Sequence, residues 1–442
     1  MNSMNVVVTT LGCKVNQCES AGMIEAIVRR GHRIVPFHET ADIYIINTCT
    51  VTAKTDFQSR QLIRRAHRRN PQAAIVVTGC YAQVFPEAAA SLPGVALVAG
   101  NPEKDELPSI IEKIARGKQE TLVSDIRVII SCTGPSAASF HGHTRAFLKV
   151  QDGCDAFCSY CIVPLARGRS RSLPAKDVLE RAALLAGAGH REIVLTGVHL
   201  GVWGADLEPK TDLLALVRKI EQSGFVQRLR LSSIEPREVS DEIIGHLRNS
   251  KILCGHFHIP LQSGDDNVLS LMGRDYDTAF FGDLLKKITD ALPDAAIGID
   301  VMTGFPGEDD AAFERTLGFV ESLPVAYLHV FPYSERPGTA ALKLPGRVSG
   351  PVKSSRGEKL RSLGQKKRRA FAERFLGKTL KVLVEDSMDR GTGMLKGFSR
   401  NYIPVLVGKG DPSLVNREID VVVIETADGR VIGRVSGEDH DG

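Results

Sequence analysis

The stretch GCDAFCSYC, from Gly153 to Cys161, places thiols at Cys154, Cys158 and Cys161. Thiolates are the ligands that iron–sulfur clusters and structural zinc sites use, and both kinds of site normally take four ligands. Three thiolates around a cube-like cluster leave one iron without a protein ligand, and that iron can chelate a small molecule. Zinc is the competing reading, because Cys-x₂₋₄-Cys spacings are common in zinc sites and His141 or His143 could supply a fourth ligand. Against it, a strand pattern at Ala146–Val150 separates those histidines from the loop, and no second cysteine pair follows at zinc-ribbon distance.

Cys13, Cys49 and Cys80 form a second set. Taken singly, each reads as a buried free thiol, since cysteine behaves as a small apolar residue. Their shared placement changes that reading. Each ends an apolar run: NVVVTTLGC (Asn5–Cys13), IYIINTC (Ile43–Cys49) and AIVVTGC (Ala74–Cys80). Segments with helical spacing follow, such as ESAGMIEAIVRRG and RQLIRRAHRRN. Strand–helix alternation implies a parallel sheet, and right-handed crossovers place the three strand ends on one edge, where α/β folds put their sites. The three thiols are expected to converge there.

The elements that must position the two sets divide the chain. The N-terminal cysteine domain is expected over residues 1–123. Ser124–His143 loses periodicity and is rich in Ser, Gly and Pro, so it reads as a linker. Residues 144–352 again alternate, with strands expected at Ala146–Val150, Glu192–Thr196, Arg228–Ser232, His256–Pro260, Ala296–Val301 and Ala326–Val330. Helical segments such as Ala175–Ala188, Leu213–Ser223 and Asp309–Ser322 lie between them. Six units are too few for a closed eight-unit barrel, which predicts an open partial (βα)6 barrel. A basic helix is expected over residues 353–378, and a small antiparallel β-barrel over 379–442, from short β-branched runs between Gly, Asp and Asn turns. The fold class is α/β with this added barrel.

The 442 residues suggest about three domains. Hydrophobic content of 43% and charged content of 24% exclude disordered and fibrous classes. MNSMNVVVTTLGC ends like a lipoprotein signal but has no basic leader and too short an apolar run. No stretch approaches the ~20 apolar residues of a membrane helix. A cytoplasmic location is expected, where thiols stay reduced and nine cysteines point to metal binding or catalysis before disulfides. Net charge is +4, yet Lys353–Lys378 alone holds ten Lys/Arg against two Glu. Basic runs recur at Arg60–Arg69 and at Arg167, Arg169 and Arg171. Any one run could be a solvated helix face; three together favour a nucleic-acid surface, with Arg167, Arg169, Arg171, Lys366, Lys367, Arg368 and Arg369 as the contacts.

The Cys154/Cys158/Cys161 spacing after a first barrel strand resembles the radical S-adenosylmethionine (SAM) enzymes. With Cys13, Cys49 and Cys80, the chain resembles their methylthiotransferase branch along essentially its whole length, including a TRAM-like C-terminal barrel. TLGCKVNQCES (Thr10–Ser20) and QDGCDAFCSYCIVPLARGRSRS (Gln151–Ser172) look most like the subgroup that modifies N6-threonylcarbamoyladenosine at position 37, beside the tRNA anticodon. Gly-Cys-Lys-Val-Asn at Gly12–Asn16 departs from the starts of the isopentenyladenosine and ribosomal-protein subgroups. The resemblance implies two 4Fe-4S clusters, one on each cysteine set. SAM would serve both as radical source, chelated at the open iron of the Cys154/Cys158/Cys161 cluster, and as methyl donor.

It further implies SAM contacts at Thr196, Gly197, Ser232, Glu235, His258, Gln262, Asp300 and Gly304, with Tyr160 packing on the cofactor. Each of these could equally be a satisfied turn or core residue. Partners implied are the tRNA anticodon arm and a low-potential electron donor of flavodoxin or ferredoxin type. Cys18, Cys132 and Cys254 read as ordinary thiols, and Trp203 as packing. Two other substrates stand as alternatives, isopentenyladenosine in tRNA and a ribosomal-protein aspartate. A non-catalytic, zinc-stabilised RNA-binding protein is the alternative of another class.

Overall fold

A computed structural model describes residues 3–114, 119–132, 134–140, 142–427 and 430–436. His141, one of the two histidines considered for zinc, lies outside them. The N-terminal third forms a six-stranded parallel sheet in the order Arg33–Ile34, Asn5–Thr10, Ile43–Thr48, Ala74–Gly79, Val95–Ala99, Glu120–Leu122. The three strands that lead to cysteines are therefore neighbours. Val7, Tyr44, Ile46 and Val77 pack into one apolar layer, and Val6, Ile43, Ile45 and Val76 into another. Burial on both faces is why these strands read as continuous apolar runs.

Six further parallel strands form an arc in two halves: Arg145–Lys149, Glu192–Thr196 and Arg228–Leu231, then His256–His258, Ala296–Thr303 and Tyr327–Pro332. A parallel bridge between Leu229 and Leu253 joins the halves. Leu148, Ile193, Leu195, Leu229, Phe257, Ile297 and Ile299 pack outward in the main core beneath the helices. The two-residue strand period then turns Arg145, Glu192, Arg230, His256, His258, Asp300, Tyr327 and His329 toward the lumen. Both edges of the arc are covered, as unpaired strands require. The helix Lys14–Arg29 covers the first, where Cys18 Sγ donates to the Phe147 carbonyl at 3.2 Å. The helix Gly350–Glu373 covers the last, with Gly364 against Leu328.

Apart from one 3-10 turn at Ile126–Val128, the described residues of the segment 124–143 are irregular, as its composition implies, but they are no free tether. Ile126, Ala137 and Phe140 are buried, and the Ala138 and Phe140 amides donate to Glu25 and to His190 on either side.

The C-terminal strands Thr379–Met388, Met394–Ser399, Pro404–Lys409, Arg430–Val435 and Glu418–Ala427 close a barrel in that order. The sequence predicts it antiparallel; one pair, Pro404–Lys409 with Arg430–Val435, is parallel. Five is an odd number, so alternating directions cannot close the ring without one parallel neighbour. This barrel docks at the N-terminal ends of the arc: Arg228 meets Glu418 at 2.8 Å, and Arg230 donates to the Arg400 carbonyl at 3.1 Å.

Candidate functional site

Sheet register levels the first set of cysteines. Thr10 pairs with Asn47, and Thr48 with Gly79. Cys49 and Cys80 follow their strands directly, while Cys13 comes three residues after Thr10. Gly12 resolves the mismatch with φ +100°, and a Cβ there would stand 2.8 Å from Cys49 Cβ and 2.9 Å from its Sγ. Only glycine allows both that conformation and that approach. Asn16 Nδ2 then donates to the carbonyls of Leu11 and Thr48 at 2.8 and 3.0 Å, fixing the turn to the next strand. Burial pushes the Cys49 thiol up to about 12, and nearby Cys80 and Cys13 add to the effect. Thiols that oppose one another's ionisation are readied for a cation, which deprotonates them on binding.

The second set is local. The Cys154 amide donates to Gly168 at 3.1 Å and the Cys161 amide to Cys158 at 2.9 Å, while the Ser159 amide anchors the loop to Met272 at 2.9 Å. Gly153, φ +72°, crosses so close to Arg169 that a Cβ would meet its carbonyl oxygen at 1.8 Å. All three thiols are half-buried. Burial pushes Cys161 up to about 12, Val163's amide opposes, and Cys158 and Cys154 raise it further. Two polar residues address the sulfurs: Arg274 Nη1 donates to Cys158 Sγ at 3.3 Å, and His199 Nδ1 lies 3.4 Å from Cys154 Sγ. Burial lowers His199, yet Cys154 and Glu238 outweigh it and bring it to about 10.

Beside this loop the structure gathers the strand-end residues. Thr196 ends one strand and Gly197 follows it, with the Gly197 backbone against Gln151. Ser232 Oγ and Gln262 Oε1 are buried without a hydrogen-bond partner among the described residues. Such orphans are costly unless a polar ligand meets them, which fits a molecule bearing amino, carboxylate and ribose groups. Glu235 pairs with Arg274. Tyr160 packs edge-on against Phe305, centroids 6.2 Å apart. Gly304 donates its amide to Glu308 at 2.8 Å. His258 Nε2 lies 3.1 Å from Asp300 Oδ1, and His329 Nδ1 3.3 Å from the same oxygen. Trp203 is buried, its Nε1 donating to Leu173 at 3.0 Å, and His143 is exposed.

Between the two sets lies a buried charge cluster. Glu19, one helical turn beyond Cys13's loop, meets Lys104, Lys149 (3.0 Å) and Arg167 (2.9 Å). Arg167 also reaches Asp152 at 3.0 Å and Asn16 Oδ1 at 2.6 Å. Burial alone would raise Glu19; Arg167, Lys104 and Lys149 reverse that and hold it well below the ordinary carboxylate range. The cluster fastens the helix after Cys13 to the strand before Cys154.

It also corrects two expected RNA contacts. Arg167 and Arg171 are 2% and 4% exposed. Arg167 is bound to Glu19 and Asp152, and Arg171 donates to the carbonyls of Arg169 and Arg167, so neither reaches a phosphate. Arg169 is exposed. On the basic helix, Lys366, Arg368 and Arg369 face solvent, but Lys367 Nζ donates to the Glu321 and Leu323 carbonyls at a helix C-terminus. Asn16, Glu19, Lys104, Lys149, Asp152, His199 and Arg274 were not legible as site residues. Only Asn16, Glu19 and Asp152 carry a local signal, lying within the cysteine motifs.

Residues 5–100 match the family described as "Uncharacterized protein family UPF0004" and residues 148–320 the radical SAM superfamily. A threonylcarbamoyladenosine tRNA methylthiotransferase of Bacillus subtilis is 38% identical over 419 residues, covering 94% of this chain and 93% of its own. The enzyme of that name from Thermotoga maritima is 38% identical over 400 residues, 90% of each chain. A tRNA-2-methylthio-N(6)-dimethylallyladenosine synthase of Pelotomaculum thermopropionicum is 33% identical over 431 residues, 94% of each. The radical SAM methyltransferase TsrM of Kitasatospora setae shares the fold at TM-score 0.55 and 16% identity, over 77% of each chain.

Proposed function

The chain belongs to the radical SAM methylthiotransferase family, and on that premise we propose that it adds a methylthio group to C2 of N6-threonylcarbamoyladenosine at position 37 of tRNA. The observation that carries this reading is the presence of two cysteine triads joined by one buried charge cluster. Family membership sets aside the zinc-stabilised binding module. When bound, two 4Fe-4S clusters and SAM would supply the one-electron chemistry at C2 and the methyl group, with the sulfur delivered at the cluster on Cys13, Cys49 and Cys80.

The chain's residues hold and shield that chemistry. Cys154, Cys158 and Cys161 hold one cluster, with Arg274 and His199 donating toward the sulfurs. Cys13, Cys49 and Cys80 hold the other. Thr196, Gly197, Ser232, Glu235, His258, Gln262, Asp300, Gly304 and Tyr160 form the SAM side of the barrel mouth. No acid/base pair is needed at C2, because its hydrogen is not acidic enough for general-base removal near neutral pH. Arg169, Lys366, Arg368 and Arg369 contact the anticodon arm through phosphate, leaving discrimination to the pocket. A loop base is splayed into that pocket at modest cost. A flavodoxin- or ferredoxin-like protein supplies electrons.

Mass spectrometry of tRNA nucleosides from a deletion strain tests the substrate. The methylthio form of threonylcarbamoyladenosine should vanish while its unmodified precursor accumulates. Loss of methylthio-isopentenyladenosine, or of the methylthio mark on a ribosomal protein instead, would replace this substrate with that one.

A further inference from the structure

Lys14 directly follows Cys13 and opens the helix Lys14–Arg29. That is a poor place for a cation, since the first turn of a helix is the positive end of its dipole. Lys14 and Cys18 lie one turn apart on one face, and Cys18 touches the Phe147 carbonyl at 3.2 Å, so this face abuts the first barrel strand. Lys14 is half-buried there. Burial acts on it most strongly and disfavours its charge, while Tyr402, Arg145, Arg230 and Cys13 are near enough to act on it electrostatically, as it acts on His256. Lys14 thus lies at the seam between the first cysteine triad and the first barrel strand.

The lumen's carboxylates are already taken. Arg145 has Glu385 at 2.8 Å, Arg230 has Glu192 at 2.7 Å, and Arg228 has Glu192 and Glu418, each at 2.8 Å. Asp300 is held by His258 and His329. The Lys14 ammonium makes no ion pair or hydrogen bond among the described residues. A half-buried cation placed against the helix dipole, among other cations and with no partner, is arranged for an anion that arrives from outside.

We propose that Lys14 binds the free carboxylate of the threonylcarbamoyl group and so selects an acidic N6 substituent over an apolar one. This rests on the substrate reading above. The threonine is linked through its nitrogen to the carbamoyl carbon, which leaves its carboxylate anionic; an isopentenyl group carries no charge. A tRNA phosphate would satisfy the same ammonium, and the two sources separate experimentally.

The test uses the reconstituted full-length enzyme and two anticodon-stem-loop RNAs. One carries threonylcarbamoyladenosine, the other the same nucleoside with its carboxylate converted to the carboxamide. For the wild type, the KM of the amide RNA should exceed that of the acid by roughly ten- to a hundredfold, as expected for losing a charged hydrogen bond. Lys14→Gln should raise the KM of the acid RNA to that of the amide and leave the amide's KM in place, and Lys14→Arg should restore most of the preference. An equal loss on both RNAs overturns the proposal and assigns Lys14 to phosphate or to the cysteine site. An unchanged KM for the acid RNA also overturns it. If the wild type ignores the acid RNA and takes an isopentenyladenosine RNA, the substrate reading has failed instead, and this is visible before any variant is made.

Discussion

The two cysteine sets present the same ligand types on opposite kinds of scaffold. Cys154, Cys158 and Cys161 sit within one loop of nine residues, closed by its own backbone hydrogen bonds and by Met272. Cys13, Cys49 and Cys80 come from three separate strands, and only sheet register and the close approach at Gly12 bring them level. A loop-built site depends on short-range geometry. A sheet-built site depends on the fold of the whole N-terminal domain. The buried cluster around Glu19 is where the two dependences meet.

Arg167 is the most sensitive point of that meeting. Arg167→Met leaves Glu19 and Asp152 under-compensated in a buried setting, and breaking such a pair costs about 3–5 kcal/mol. Thermal unfolding should show a large fall in melting temperature, while an unchanged midpoint would remove the cluster from the account. Gly12→Ala acts on one side only. It forces alanine into φ +100° against Cys49, a strain of about 1–2 kcal/mol, so iron bound at the first triad should drop while SAM cleavage at the second persists. Parallel loss of both would mean that the sites do not differ as described. The smallest effect is expected at the surface: Arg169→Ala should weaken tRNA binding and reduce the salt slope by about one, whereas Arg171→Ala should alter stability and leave that slope alone.

Much of the scaffold was legible because pattern and caps agree. The strand Glu192–Thr196 and the helix Leu213–Ser223 fall where periodicity puts them, the helix bounded by Asp212, whose side chain accepts from the Ala215 amide, and by left-handed Gly224. The convergence of Cys13, Cys49 and Cys80 on one edge was legible through parallel topology. Charge was not. The run ARGRSRS reads as one basic patch, but its short helix and strand turn Arg167 and Arg171 inward and leave Arg169 outside. Glu19 meets Lys104, Lys149 and Arg167 across separations of 85, 130 and 148 residues, which no local pattern encodes. Arg274 and His199 are single polar residues far along the chain from the cysteines they address, and only the six-strand arc brings them together.

The most direct measurement is iron, sulfide and SAM cleavage on anaerobically reconstituted enzyme, comparing the wild type with two triple alanine variants. The wild type should hold about eight irons, as two four-iron clusters do. Replacing Cys13, Cys49 and Cys80 should leave about four irons and active SAM cleavage with no methylthiolated product; replacing Cys154, Cys158 and Cys161 should leave about four irons and no cleavage. A wild type with only about four irons, or a Cys13/Cys49/Cys80 variant that still makes the product, would contradict two separate sites.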